Sequence, residues 1–150
     1  MRAPTRREGQ ASLASGRNRV YTVAILDNPI EVMLVDDEPD IRFMLRSYIG
    51  GLPGFDVTSE AGNGAEALNL IQVHCPDAVL LDIGMPVMDG LEATWQIRDL
   101  CPHTKIVIFS AYTADQVRSE ALARGADLYL VKDTPPKEIA AAIRRLVRAA

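Results

Sequence analysis

From residue 31 onward, short apolar runs alternate with apolar residues at helical spacing. Val32-Met33-Leu34-Val35 is a continuous apolar run, as expected of a strand covered on both faces. It ends in Asp36-Asp37-Glu38-Pro39, and Ile41, Met44, Leu45 and Tyr48 follow at helical spacing up to Gly50-Gly51. Phe55 to Glu60 reads as a second strand. Gly62-Asn63-Gly64 turns the chain into a helix over Ala65–His74, with Leu68 and Ile71 on one face. Ala78-Val79-Leu80-Leu81 is a third buried strand that closes on Asp82. A loop with Met85-Pro86 and Asp89-Gly90 leads into a helix over Leu91–Leu100. Ile106 to Phe109 is the fourth strand and stops at Ser110. A helix over Ala114–Arg124 stops at Gly125. Leu128–Val131 is the fifth strand and ends at Lys132. Pro135-Pro136 opens a last helix with Ile139, Ile143, Leu146 and Val147 inward.

Five strands alternating with five helices predict an α/β fold, a parallel sheet with helices on both faces. Right-handed crossovers leave few topologies, and the doubly wound, flavodoxin-like order 2-1-3-4-5 is the expected one. In that arrangement the polar residues fall in one place. Asp36 and Asp37 follow the first strand, Asp82 ends the third, Ser110 follows the fourth and Lys132 follows the fifth. All lie at the carboxyl edge of one sheet, where open α/β folds bind ligands. Singly, each has a plain reading: Asp36, Asp37 and Asp89 as caps or turn formers, Ser110 as a cap, Lys132 as a solvated lysine. Five such residues at four strand ends of one edge point instead to a common site.

Converging carboxylates repel one another and raise each other's pKa. A hard divalent cation offsets that, and Mg²⁺ suits one or two carboxylates with phosphate oxygens and water. Lys132 adds a fixed positive charge and Ser110 a hydroxyl donor. A carboxylate nucleophile, a metal, an ammonium and a hydroxyl are what in-line phosphoryl transfer needs.

At this point the chain resembles the response-regulator receiver family over about residues 31–148. The motifs are Leu34-Val35-Asp36-Asp37-Glu38, then Leu81 to Gly90, then Phe109-Ser110-Ala111, then Gly125 to Lys132. The resemblance implies that Asp82 accepts a phosphoryl group from a histidine kinase. It also implies that Asp37, Asp82 and the Gly84 backbone carbonyl ligate Mg²⁺ directly, with Asp36 acting through water. Lys132 and Ser110 look like phosphoryl-oxygen ligands. Tyr129 looks like an aromatic switch that turns inward when Ser110 moves toward the phosphoryl group; its plain reading is an edge aromatic half-packed on the fourth helix. Small Ala111 would leave access to Asp82. Output is expected through the face made by the fourth helix, fifth strand and fifth helix, by homodimerisation or by docking of a downstream partner.

One residue departs from the family pattern. Asp133 follows Lys132 where many receivers have a cis proline, and a non-proline cis bond costs about 3 kcal/mol. The run Tyr129 to Pro136 instead resembles receivers of the NarL/FixJ subfamily, which usually carry a C-terminal DNA-binding domain. This chain ends at Ala150, so the expectation is a stand-alone receiver or a piece of a longer regulator. Two other function classes compete. One is a receiver-like binding module that works without phosphorylation, which Asp133 slightly favours. The other is a phosphoaspartate-type hydrolase, whose usual Asp-x-Asp motif is missing because Gly84 holds the third place. No turnover of an external substrate is expected.

Composition and charge refine this picture. The chain has 150 residues, enough for one full domain, with 48% hydrophobic and 24% charged residues. Net charge is −4; residues 1–30 carry five Arg against Glu8 and Asp27, or +3, which leaves −7 on residues 31–150. An acidic body argues against direct nucleic-acid binding by the folded part. Residues 1–30 read as a basic leader, expected to be disordered, with Val20–Leu26 as an edge strand or part of that leader. Its Arg-rich, acid-poor start also resembles an organelle transit peptide. Residues 31–150 read as the receiver domain. No apolar stretch approaches the roughly 20 residues that span a bilayer. Cys75 and Cys101 are too few for a disulfide framework and form no CxxC pair, so a reducing, cytoplasmic setting fits. Each lies near a histidine, His74 and His103, but the spacing matches no common zinc pattern, and two helix ends are the simpler reading.

Overall fold

The computed structural model describes residues 28–149. In chain order the elements are β1 Ile30–Val35, α1 Pro39–Ile49, β2 Phe55–Ala61, α2 Gly64–Ile71, β3 Ala78–Leu81, α3 Gly90–Leu100, β4 Lys105–Ser110, α4 Asp115–Ala123, β5 Leu128–Val131 and α5 Pro136–Arg148. The five strands form one sheet in the order β2-β1-β3-β4-β5, and every pairing is parallel. The predicted fold class and strand order are both present. The basic leader up to residue 27, with the Val20–Leu26 run, lies outside the described residues.

Strand period divides the core in two. Met33, Val35, Val79, Leu81, Ile106, Ile108 and Tyr129 face the layer that packs α2, α3 and α4. Val32, Leu34, Leu80, Val107 and Phe109 face the layer that packs α1 and α5, with Leu45, Ile49, Ile139 and Ile143 opposite. Because both faces are covered, β1 from Val32 onward and β3 read as unbroken apolar runs rather than alternating ones.

Helix faces were only partly legible. On α1 the buried residues are Leu45 and Ile49, whereas Met44 and Tyr48 are each 38% exposed. The inward stripe runs Ile41–Leu45–Ile49, one residue per turn, and a second apolar stripe of Phe43, Met44 and Tyr48 looks outward. The α2 helix ends at Ile71 instead of His74, and the His74 side chain pairs with Glu31. Gly125, at φ +117, ends the α4 segment as its position suggested.

The cysteines are paired, which the reading of a reducing setting did not anticipate. Cys75, in the loop after α2, is bonded to Cys101 at the C-cap of α3. Zinc ligation by these sulfurs with His74 and His103 is therefore not what the fold presents. Among the described residues, only Asp36, Asp37 and Asp82 bring three metal-ligating side chains together.

Candidate functional site

Asp36, Asp82 and Lys132 reach the site because a strand ladder extends one step past the end of each strand. Asp36 N–H donates to Ala61 O (3.1 Å), Asp82 N–H to Val35 O (2.9 Å) and Lys132 N–H to Ser110 O (2.9 Å). These bonds fix the heights of the three side chains at the carboxyl edge. Asp36 and Asp82 are buried and Asp37 is exposed, yet their carboxylate oxygens lie within 4.8 Å of one another. Asp37 and Asp82 open onto a cleft of ≈ 350 Å³ also lined by Glu38, Gly84, Ser110, Ala111, Tyr112 and Lys132.

Lys132 organises the cleft. Its Nζ lies 2.7 Å from Asp36 Oδ2, 3.4 Å from Asp82 Oδ2 and 3.8 Å from Glu38 Oε1. The other oxygen of each buried carboxylate is held by backbone: Glu38 N–H donates to Asp36 Oδ1 (2.9 Å), and Ile83 N–H to Asp82 Oδ1 (2.8 Å). Burial pushes the Asp82 carboxyl above its ordinary pKa, and the Asp36 charge adds to this. Lys132 and the Ile83 N–H oppose the shift without cancelling it. For Lys132, burial alone would lower the pKa. The hydrogen bond to Asp36 and the two carboxylate charges outweigh it, so the ammonium form is favoured.

The loop between Asp82 and α3 is held from both sides. Gly90 N–H donates to Ile83 O (2.8 Å), and a Cβ at Gly90 would collide with the Asp82 backbone, so this approach admits only glycine. Asp89 caps α3 by accepting from Glu92 N–H (2.9 Å), which is its plain reading. Ser110 is fully buried, and its Oγ accepts from Tyr112 N–H (3.1 Å). Tyr129 is turned inward, and its hydroxyl donates to Tyr112 O (2.7 Å). The Arg118 guanidinium lies 4.9 Å from the centre of the Tyr129 ring. Tyr129 is thus more than an edge aromatic: it is tied to the loop that follows Ser110. The Lys132–Asp133 peptide bond is trans, as is every other among the described residues, and Lys132 still reaches both buried carboxylates.

The described chain matches the response regulator receiver domain family over residues 32–144. The protein belongs to the response-regulator receiver family. This receiver is 37% identical over 117 residues to the response regulator protein VraR of Staphylococcus saprophyticus, covering 78% of this chain and 56% of that protein. It is 36% identical over 117 residues to the nitrate/nitrite response regulator NarL of Escherichia coli, covering 78% of this chain and 54% of that protein. The chain therefore spans about half the length of the curated relatives it matches. Among solved structures it is similar to that of a CheX–CheY–BeF₃–Mg²⁺ complex from Borrelia burgdorferi, with a TM-score of 0.73 and 28% identity over 81% of this chain and 90% of that one. The NarL-like character suggested by Tyr129 to Pro136 agrees with these relatives. In the receiver, the three-carboxylate cluster fits a hard divalent cation by the chemistry of its donors, which are all oxygen. No helix among the described residues is long and apolar enough to cross a membrane.

The structure brings together Asp36, Asp37, Asp82, Lys132, Ser110 and Gly84 around the receiver's cleft. Sequence reasoning missed two of its walls. Glu38 stands in the sequence reading only within the run Asp36-Asp37-Glu38, and Tyr112 has no role assigned there. The signal for Tyr112 was its place two residues after Ser110, on the loop that leaves a strand end next to the site.

Proposed function

We propose that this receiver is a phosphorylation-controlled switch whose phosphoryl acceptor is Asp82, with a cytoplasmic histidine kinase as the donor. The observation that carries the reading is Lys132 Nζ seated between Asp36 and Asp82 at the floor of a cleft open toward Gly84, Ser110 and Tyr112. In this reading the carboxylates of Asp37 and Asp82 and the Gly84 carbonyl hold Mg²⁺, with Asp36 acting through water. The ion would supply charge stabilisation for the transferring phosphoryl oxygens. An Asp82 carboxylate oxygen attacks phosphorus in line, the bond to the donor nitrogen breaks, and an acyl phosphate forms. Lys132, held protonated by Asp36, pairs with the equatorial oxygens. Ser110 must give up its bond to Tyr112 N–H and turn its hydroxyl toward the phosphoryl group. That exchange frees the Tyr112 loop to move, and Tyr129, bonded to Tyr112 O, carries the change to the α4–β5–α5 face. There the receiver would dimerise or dock a downstream partner.

The competing reading, binding without phosphorylation, drew its support from Asp133. It loses that support because Lys132 reaches both carboxylates across a trans bond. The experiment is incubation with acetyl phosphate and Mg²⁺, followed by intact mass measurement before and after acid treatment. An acid-labile phosphoryl adduct on the wild type and none on Asp82→Asn is expected. No adduct, or equal adducts on both, would sink the proposal.

A further inference from the structure

The acidic cleft occupies the carboxyl edge of the sheet; the cysteine pair lies at the opposite, amino edge, where the phosphoryl reading assigns no role. The geometry points to a reversible thiol–disulfide site at Cys75–Cys101, which exchanges with small external thiols and disulfides through the sulfur of Cys75. Three observations carry it.

First, the two cysteines are held in reach by bonds that do not involve sulfur. Thr104, itself buried, donates its hydroxyl to Pro76 O (2.7 Å), and its N–H to Cys101 O (3.2 Å). One residue thus stitches the Cys75 loop to the Cys101 loop. The Asp77 N–H bond to Glu31 O (3.0 Å) and the Lys105 N–H bond to Asp77 O (2.9 Å) add the sheet itself to the clamp. The Cα–Cα distance of 5.8 Å is in the ordinary range for a bridged pair. Opening the bond leaves these anchors in place, so the thiols stay poised to close again.

Second, access is one-sided. Cys75 is exposed, whereas Cys101 is 1% exposed at the end of α3. Both border a cleft of ≈ 190 Å³ at this edge. Cys75 is the more open of the two, which directs an incoming thiolate to its sulfur and makes Cys101 the leaving group and, in reverse, the resolving thiol.

Third, the Cys75 sulfur lies 3.9 Å from Leu100 O, so the freed thiol has an acceptor beside it.

The exchange balances as follows. An external thiolate attacks Cys75 Sγ; the bond between the cysteines breaks, and Cys101 leaves with its electron pair and takes up a proton. A second external thiol displaces Cys75 from the mixed disulfide, which yields an external disulfide and the Cys75 thiol. Two electrons and two protons pass to the pair, and the reverse reaction consumes an external disulfide of the glutathione class. Cytosolic disulfides are commonly transient and redox-sensing, so a folded pair with one exposed cysteine fits a sensor better than a permanent staple.

The full chain is reduced, freed of reductant and equilibrated with oxidised glutathione; free thiols are then counted by alkylation and intact mass. Loss of both thiols with no retained glutathione is expected. Millimolar dithiothreitol should return both thiols while the circular dichroism spectrum stays native. Cys101→Ser should instead retain one glutathione, on Cys75. Two thiols still free on the wild type would overturn the proposal. So would a bond that yields to dithiothreitol only after the chain is unfolded, or a Cys101→Ser variant that takes up no glutathione. The acetyl phosphate assay is indifferent to all three outcomes, so failure here is separate from failure of the phosphoryl reading.

Discussion

Burial and the Asp36 charge both disfavour the ionised form of Asp82, and Lys132 offsets them only in part. The folded carboxyl therefore holds its proton at pH values where the unfolded one has lost it. Stability falls as pH rises through that interval, and the cost of the charge is in force above it. The buried, acidic site thus destabilises its own fold when no cation is bound. With divalent metal chelated, Asp82→Asn should melt above the wild type at neutral pH. The difference should vanish below the ordinary carboxylate range, where both forms are neutral. Melting curves in a chelator across pH check this; a variant that melts lower at neutral pH would contradict it. A second residue carries strain of another kind. Val87, in the loop beyond Asp82, has φ +68 and is 85% exposed. A β-branched residue there is costly and packs against little. Val87→Gly should stabilise the fold by about 0.5–1 kcal/mol, the relief of strain less the entropy glycine adds to the unfolded chain. The midpoint of urea unfolding measures it. The repulsion among converging carboxylates was legible in the sequence; the burial of Asp82 and the positive φ of Val87 were not, because neither burial nor φ is written in residue order.

The elements were largely legible because β1, β3, β4 and β5 each carry a short apolar run, while β2, Phe55–Ala61, mixes apolar and polar residues and is marked by Gly54 and Gly62 on either side. Their faces were less so. On α1, two apolar stripes compete, and only packing against β1 and α5 decides that Leu45 and Ile49 go inward. Long polar side chains were also opaque. Arg98 on α3 donates to Gly125 O (2.8 Å), Pro102 O (2.9 Å), Thr104 O (2.8 Å) and Asp127 Oδ2 (2.6 Å). Asp127 Oδ2 in turn accepts from Ile106 N–H (2.8 Å). One guanidinium thereby joins the end of α3 to the starts of β4 and β5, across segments that sequence order keeps apart. Arg98→Ala leaves these acceptors without their donor, and water can replace it only in part because the side chain is 27% exposed. The expected loss is about 2 kcal/mol. Arg98→Lys should recover less than half, since a single ammonium cannot serve four acceptors in the plane of a fork. Chemical denaturation of the three proteins decides it.

At the scale of the molecule, the sheet separates two kinds of chemistry. The carboxyl edge was readable because a parallel sheet sends the residue after every strand to the same side. The amino edge was not, because pairing Cys75 with Cys101 needs two loops 26 residues apart to meet, which no local pattern announces. The ring they close contains β3, Asp82 and α3. Closing a loop of this length removes conformational freedom from the unfolded chain worth about 3 kcal/mol. Oxidised protein should therefore resist denaturation by about that amount more than reduced protein, a melting shift on the order of 10 °C. Asp82 stands four residues along the strand from Ala78, roughly 13 Å from the cross-linked edge. Sites so separated, with no shared partner, should contribute additively. The gain from Asp82→Asn should then be the same in oxidised and reduced protein, within about 0.5 kcal/mol. A larger difference would mean that opening the ring loosens the Asp82 loop itself, and thiol state would then reach the acidic cleft through β3 and α3.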